Sequence, residues 1–194
     1  MTTPAQRRRV AELLGREPEG DFEVVVDEAG DPVVIRNEPL LSDGRPMPTR
    51  YWLVGEVPRR AVGRLESLGG VRQAQAAVDA DELSGAHARY AAERDAAIEE
   101  SYSGPRPSGG VGGTRRGVKC LHAHYAWYLA GGDDPVGRWV AEQLAAGLDT
   151  ESFRPGTAGS RRIGTAGSSR GSAGSYRIGT AGSLRGSAGS TVLP

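Results

Sequence analysis

The chain has 194 residues, 38% of them hydrophobic, and equal numbers of basic and acidic side chains, 24 of each. That length accommodates one domain and an appendage, and no apolar run reaches the roughly 18 to 20 residues that a membrane-crossing helix requires. The single cysteine, Cys120, excludes an internal disulfide and fits a reducing compartment; Met1 to Val10 holds three consecutive arginines but no apolar stretch, so no secretory signal is expected and the predicted location is the cytoplasm.

Thr3-Pro4 reads as N-cap and first helical residue of a helix whose short apolar face, Val10, Leu13 and Leu14, ends near Gly15. Two β-rich runs follow, Phe22 to Val26 and Val33 to Arg36. The turn-forming Asp27-Glu28-Ala29-Gly30-Asp31 between them predicts an antiparallel hairpin. Pro32 opens the second strand, where a missing N–H costs little. Asn37 to Pro48, with three prolines and Asp43-Gly44, is a loop, and Thr49 to Val54 a third strand. Pro58 begins a helix through Leu68 that Gly69-Gly70 closes. A longer helix runs from about Asp81 to Ser101, with Leu83, His87, Tyr90, Arg94 and Ile98 on one stripe. After the Gly/Pro-rich loop Ser103 to Gly117, an apolar helix spans Val118 to Ala130. A last helix has Asp134 as N-cap, Pro135 at its first position and Gly147 as its stop. The expected fold is α+β: a small antiparallel sheet of about three strands packed with four to five helices, over residues 1–149.

Residues 150–194 differ in kind. Arg162 to Tyr176 and Arg177 to Thr191 agree at 13 of 15 positions. Each unit offers one isoleucine among Gly, Ser, Thr and Ala, too little apolar surface to offset the entropy of ordering, so a disordered repeat tail is expected rather than a solenoid. From Glu151 onward there are six arginines and one acid, whereas the preceding 150 residues hold 18 basic and 23 acidic side chains. Such a basic tail permits weak, nonspecific contact with nucleic acid but no specific recognition.

Two stretches, Pro46-Met47-Pro48-Thr49-Arg50-Tyr51-Trp52-Leu53 and Arg116-Gly117-Val118-Lys119-Cys120-Leu121-His122-Ala123-His124, together resemble the bacterial domain-of-unknown-function family 501, short proteins common in actinobacteria. Asp43-Gly44 ahead of the first stretch and a His87-bearing helix ahead of the second fit the same pattern, over roughly residues 5 to 148. The resemblance implies no activity. The family's genes often sit beside those of an exopolyphosphatase and a septum-formation initiator, which links it to phosphate metabolism or division by association alone.

Three groups of residues carry candidate chemistry. In Gly109 to Lys119, glycines free backbone amides to converge on an anion, a helix N-terminus adds partial positive charge, and Arg115, Arg116 and Lys119 would grip a phosphate or carboxylate. A Walker A loop is excluded: Val118 separates Gly117 from Lys119, and Cys120 stands where the metal-binding hydroxyl would be. The competing reading is a solvated surface loop. In the second group, about 100° per residue makes Cys120 and His124 helical neighbours, while His122 joins Val118, Leu121, Tyr125 and Leu129 on the apolar stripe as a hydrogen-bonded core histidine. His122 or His124 is the candidate general acid/base. A zinc site would need Cys120 and His124 with outside ligands such as His87, and no metal-binding spacing supports it. In the third, Tyr51 and Leu53 point to one face of a strand and Arg50 and Trp52 to the other; Arg50 and Tyr51 would line a pocket with Arg115 and Arg116, against the alternative of plain sheet packing. No nucleophile–base–acid triad can be assembled.

The expectation is therefore a cytosolic module that binds a phosphate-type anion at the Arg/Lys-rich loop, with no cofactor and no membrane partner. The alternatives are a non-catalytic protein-interaction or regulatory domain and, after it, a zinc-binding domain.

Overall fold

A computed structural model of the chain describes residues 2–147; the predicted repeat tail lies outside the described residues. The elements run α1 (Pro4–Leu14), β1 (Phe22–Glu28), β2 (Asp31–Asn37), β3 (Tyr51–Leu53), α2 (Glu56–Ser67), α3 (Gly70–Ala77), α4 (Ala80–Ala96), α5 (Leu121–Leu129) and α6 (Pro135–Ala145), with one 3-10 turn at Val111–Gly113 before α5. Among the described residues the fold is α+β, a three-stranded antiparallel sheet in the order β1-β2-β3 with six helices.

Local chemistry accounts for the element ends. Thr3 caps α1 by accepting the Gln6 N–H, the Gln6 side chain returns the bond to the Thr3 N–H, and Gly15 closes the helix in the left-handed region. The β1–β2 turn pairs Glu28 with Asp31 across Ala29 and Gly30, both at positive φ, as a two-residue hairpin turn demands. The pairing shifts register between Val24 and Val26 and again before Asp27.

The sheet is covered on both faces. Val10 and Leu13 of α1 pack with Phe22, Ile35 and Val54 on one face. On the other, Val34, Tyr51 and Leu53 meet the main core, which takes Val62 and Leu65 from α2, Leu83 and Tyr90 from α4, Leu121 and Trp127 from α5, and Val136 and Val140 from α6. Consecutive residues of the central strand, Val34 and Ile35, thus serve opposite layers, as the two-residue strand period requires. Among the described residues no helix is long and apolar enough to cross a membrane.

Three helices depart from the sequence reading: α4, expected to reach Ser101, ends at Ala96, and two others differ at their ends. Gly69, at φ 87°, closes α2 as expected, but the chain restarts as α3 at once, with Gly70 seated against the Leu65 carbonyl. A Cβ on Gly70 would lie 2.6 Å from that oxygen, so the glycine pair is a tight corner between two helices rather than a helix stop followed by coil. The apolar helix expected from Val118 begins only at Leu121, because Cys120 is extended at φ −152° and serves as the N-cap residue.

Candidate functional site

The stripe on α4 positions the site. Leu83, His87, Tyr90 and Arg94 are all buried along one face of that helix. Two of them reach the loop before α5. Arg94, 1% exposed, donates from Nη1 to the Gly109 carbonyl at 2.7 Å and from Nε to Asp95 at 2.9 Å. His87 spans the loop: its Nδ1 accepts the Val111 N–H at 3.1 Å, and its Nε2 lies 3.1 Å from the Gly117 carbonyl. A ring nitrogen that accepts an amide proton carries none of its own, so Nε2 holds the proton of the neutral ring and donates it to Gly117. Burial is the main cause that pulls the His87 pKa below its ordinary 6.5, and the neighbouring His124 lowers it further, against opposing contributions from Gly117 and Asp134.

Further fasteners close the loop. The Gly110 N–H donates to the Thr114 carbonyl at 2.7 Å, and Gln75 Oε1 accepts the Val118 N–H at 3.1 Å. Gly110 has no substitute here, since a Cβ would stand 2.5 Å from the His87 ring. Gly117, at φ 65°, turns the chain where Gln75 presses against it. Arg115, Arg116 and Lys119 project from this fastened loop as exposed side chains, and among the described residues none of them forms an ion pair.

The α5 terminus itself is arranged differently from the sequence expectation. Glu66 of α2 already occupies it: Oε1 accepts the Leu121 N–H at 2.6 Å. The same oxygen lies 3.2 Å from His122 Nδ1, and Cys120 Sγ lies 3.9 Å from that nitrogen. His122 Nε2 stands 3.1 Å from the Arg59 carbonyl. The Cys120 sulfur above all, then the Glu66 charge and the Arg59 carbonyl, raise the His122 pKa to about 9 against the opposing effect of burial.

His122 and His124 have exchanged their expected places. His122 is half-buried between α2 and the Cys120 side chain, whereas His124 is 0% exposed, with Nδ1 2.7 Å from Asp134 Oδ2 and its ring centroid 5.6 Å from that of His87. Asp134 uses its other oxygen to cap α6, accepting the Val136 and Gly137 amides at 2.9 and 3.0 Å. The helical angle between Cys120 and His124 has no force once Cys120 lies outside the helix, which is why that pairing fails. The donors of Cys120, His124 and His87 do not converge among the described residues; those of Glu66, Cys120 and His122 do, all within 4.8 Å of one another. Glu66 gave no signal in the sequence, because it stands 54 residues before Cys120.

Arg50 and Tyr51 are buried and do not join the exposed cations. The Arg50 amide donates to the Tyr90 hydroxyl at 2.6 Å, and its guanidinium is enclosed, with Nε and Nη1 lacking a partner. The Tyr51 hydroxyl donates to Glu93, whose second oxygen accepts the Trp127 indole N–H at 3.0 Å. Sheet and helix packing accounts for Tyr51, the alternative that strand alternation had left open.

Residues 24–142 match the family described as "Protein of unknown function (DUF501)". The chain belongs to that family. The matched span takes in the hairpin, the Glu66 cluster and the fastened loop, and within DUF501 no activity stands against which the site could be read. No curated protein and no solved structure matches the chain.

Proposed function

We propose that this DUF501 protein binds a phosphate-type anion at the loop Gly109–Lys119, with Arg115, Arg116 and Lys119 as the gripping side chains. The observation that supports the reading is the way the loop is held. Buried His87 and Arg94 and the exposed Gln75 fix four of its backbone groups, at Gly109, Val111, Gly117 and Val118, while its three cations stay exposed and, among the described residues, form no ion pair. A merely solvated loop needs no such anchoring; a binding loop gains from it, because less motion remains to be frozen when the ligand arrives. The anion is not expected at the α5 N-terminus, since the Glu66 carboxylate is already there. Guanidinium groups suit the tetrahedral, bidentate geometry of phosphate.

Pyrophosphate is the probe. At about 100 times its dissociation constant, a ligand bound only by the folded state adds about 2.7 kcal/mol, which a thermal melt resolves. The shift is expected to shrink with added salt, because exposed ionic contacts are screened over about 8 to 10 Å. Arg115→Ala/Arg116→Ala is expected to remove the pyrophosphate shift and leave ligand-free stability nearly unchanged, as both side chains are exposed. Equal responses from wild type and double variant would exclude the loop as the site.

A further inference from the structure

Three donors of different chemistry meet at the surface end of α5: a thiol, an imidazole nitrogen and a carboxylate oxygen. From this convergence we infer a zinc-type metal site formed by Cys120 Sγ, His122 Nδ1 and Glu66 Oε1, independent of the anion-binding reading.

The spacing fits a single ion. Zinc–sulfur and zinc–nitrogen bonds of about 2.3 and 2.0 Å at a tetrahedral angle place the two donors about 3.5 Å apart, and a nitrogen and an oxygen ligand about 3.3 Å apart. The observed separations are 3.9 Å for Sγ to Nδ1 and 3.2 Å for Nδ1 to Oε1.

The supporting contacts are those a metal ligand needs. Arg59 offers His122 Nε2 a carbonyl at 3.1 Å, which accepts a proton and so leaves the lone pair of the neutral ring on Nδ1, the nitrogen that faces the sulfur and the carboxylate. Glu66 Oε1 is steadied by the Leu121 amide at 2.6 Å. A lone pair 3.2 Å from a carboxylate oxygen is repulsive unless a cation lies between them. Without metal, a proton on Nδ1 fills that role. With metal, the ion replaces the ring proton and the thiol proton, and both pass to solvent.

The donor set also narrows the ion. Thiolate and imidazole select zinc and its neighbours over magnesium or calcium, which prefer oxygen alone. Three protein donors leave a fourth tetrahedral position unclaimed, and the His122 and Glu66 side chains, each 26% exposed, place that position within reach of solvent. The site is therefore of the open type that holds an exchangeable water or anion, in contrast to a closed structural centre.

The full-length protein, stripped with chelator and kept in phosphate-free buffer, is titrated with Co²⁺ as a visible probe. One ion per chain with a thiolate-to-cobalt charge-transfer band is expected. Cys120 is the only cysteine, so that band identifies it as the ligand. Zn²⁺ is expected to displace the cobalt and to slow alkylation of Cys120 by iodoacetamide. Glu66→Gln keeps an acceptor for the Leu121 amide, and it and His122→Asn are each expected to weaken binding by more than about tenfold, the lower end of what loss of an outer partner costs. Arg115→Ala/Arg116→Ala is expected to bind cobalt like wild type, and the pyrophosphate shift is expected to persist in chelator, so the two readings fail separately. Absence of the band at stoichiometric metal, or a band unchanged in both ligand variants, overturns the site. Should either variant fail to fold, the wild-type alkylation rate decides: a rate indifferent to Zn²⁺ overturns it as well.

Discussion

His87 joins two backbone groups six residues apart in the chain, the Val111 amide and the Gly117 carbonyl, and does so only as a neutral ring. Protonating Nδ1 would set an N–H against the Val111 N–H. Its pKa in the folded protein lies below the ordinary 6.5, so the stability it contributes is complete above about pH 6.5 and is lost as pH falls toward the folded value. The groups that face it are the Val111 amide, the Gly117 carbonyl, the His124 ring and the Asp134 carboxylate. His122 shifts the other way, to about 9, so its contribution still rises slightly as pH falls through about 6.5 and is complete near pH 5, opposing rather than causing the loss. Urea unfolding between about pH 6.5 and about pH 5 is expected to show a falling midpoint that flattens in His87→Gln, whose amide can still accept from Val111 and donate to Gly117. An unaltered pH profile in that variant would show that the ring is not the titrating group. The sequence placed His87 on a buried stripe, and the stripe is buried; the partners that define its role lie 24 and 30 residues onward, where no periodicity reaches.

At the scale of elements, caps proved more informative than composition. Thr3-Pro4 and Asp134-Pro135 fixed the starts of α1 and α6 because each cap bond is local. Leu121 starts α5 three residues later than its apolar run suggested: Cys120 is extended, and long-range bonds tie the Val118 amide to Gln75 and the Leu121 amide to Glu66. Val71, Ala74 and Val78 make a stripe of helical spacing that packs on the core, but it is short and built of small side chains, and the reading of the sequence left α3 unassigned. The α5–α6 pair gives a direct test of packing. Gly137 sits where an added Cβ would collide with the Tyr128 Cβ and stand 2.8 Å from the His124 carbonyl. Gly137→Ala is expected to cost about 1–3 kcal/mol by forcing the helices apart, even though alanine is the better helix former. Gly147→Ala, at φ 57° with nothing within 4 Å among the described residues, strains only the turn after α6 and is expected to leave the core packing unchanged. A gain in urea midpoint for Gly137→Ala would refute the close approach.

Across the whole molecule, β2 divides two apolar clusters that share a strand but no side chain. Ile35→Val trims the α1 side, at about 0.5–1.5 kcal/mol, and Leu83→Ala trims the α4 side, at about 2–5 kcal/mol. The double variant is expected to lose the sum within about 0.5 kcal/mol; a coupling above about 1 kcal/mol in urea unfolding would show that the two layers pack as one. The fold class was legible because both clusters write themselves into short periods, two along β2 and near 3.6 along α4, whereas the Glu66 cluster joins residues from different elements and has no period at all. The interrupted pairing of β1 has a further consequence for molecules in concentrated solution. As the outer strand of an open sheet, β1 offers unpaired amides and carbonyls on which a second copy could build. Its two register shifts bend that row out of line, and Glu23, Asp27 and Glu28 put like charges on any copy brought alongside. The three residues of β3 at the opposite edge are too few to seed a ladder. Among the described residues both edges of the sheet thus oppose the addition of a strand from a second copy.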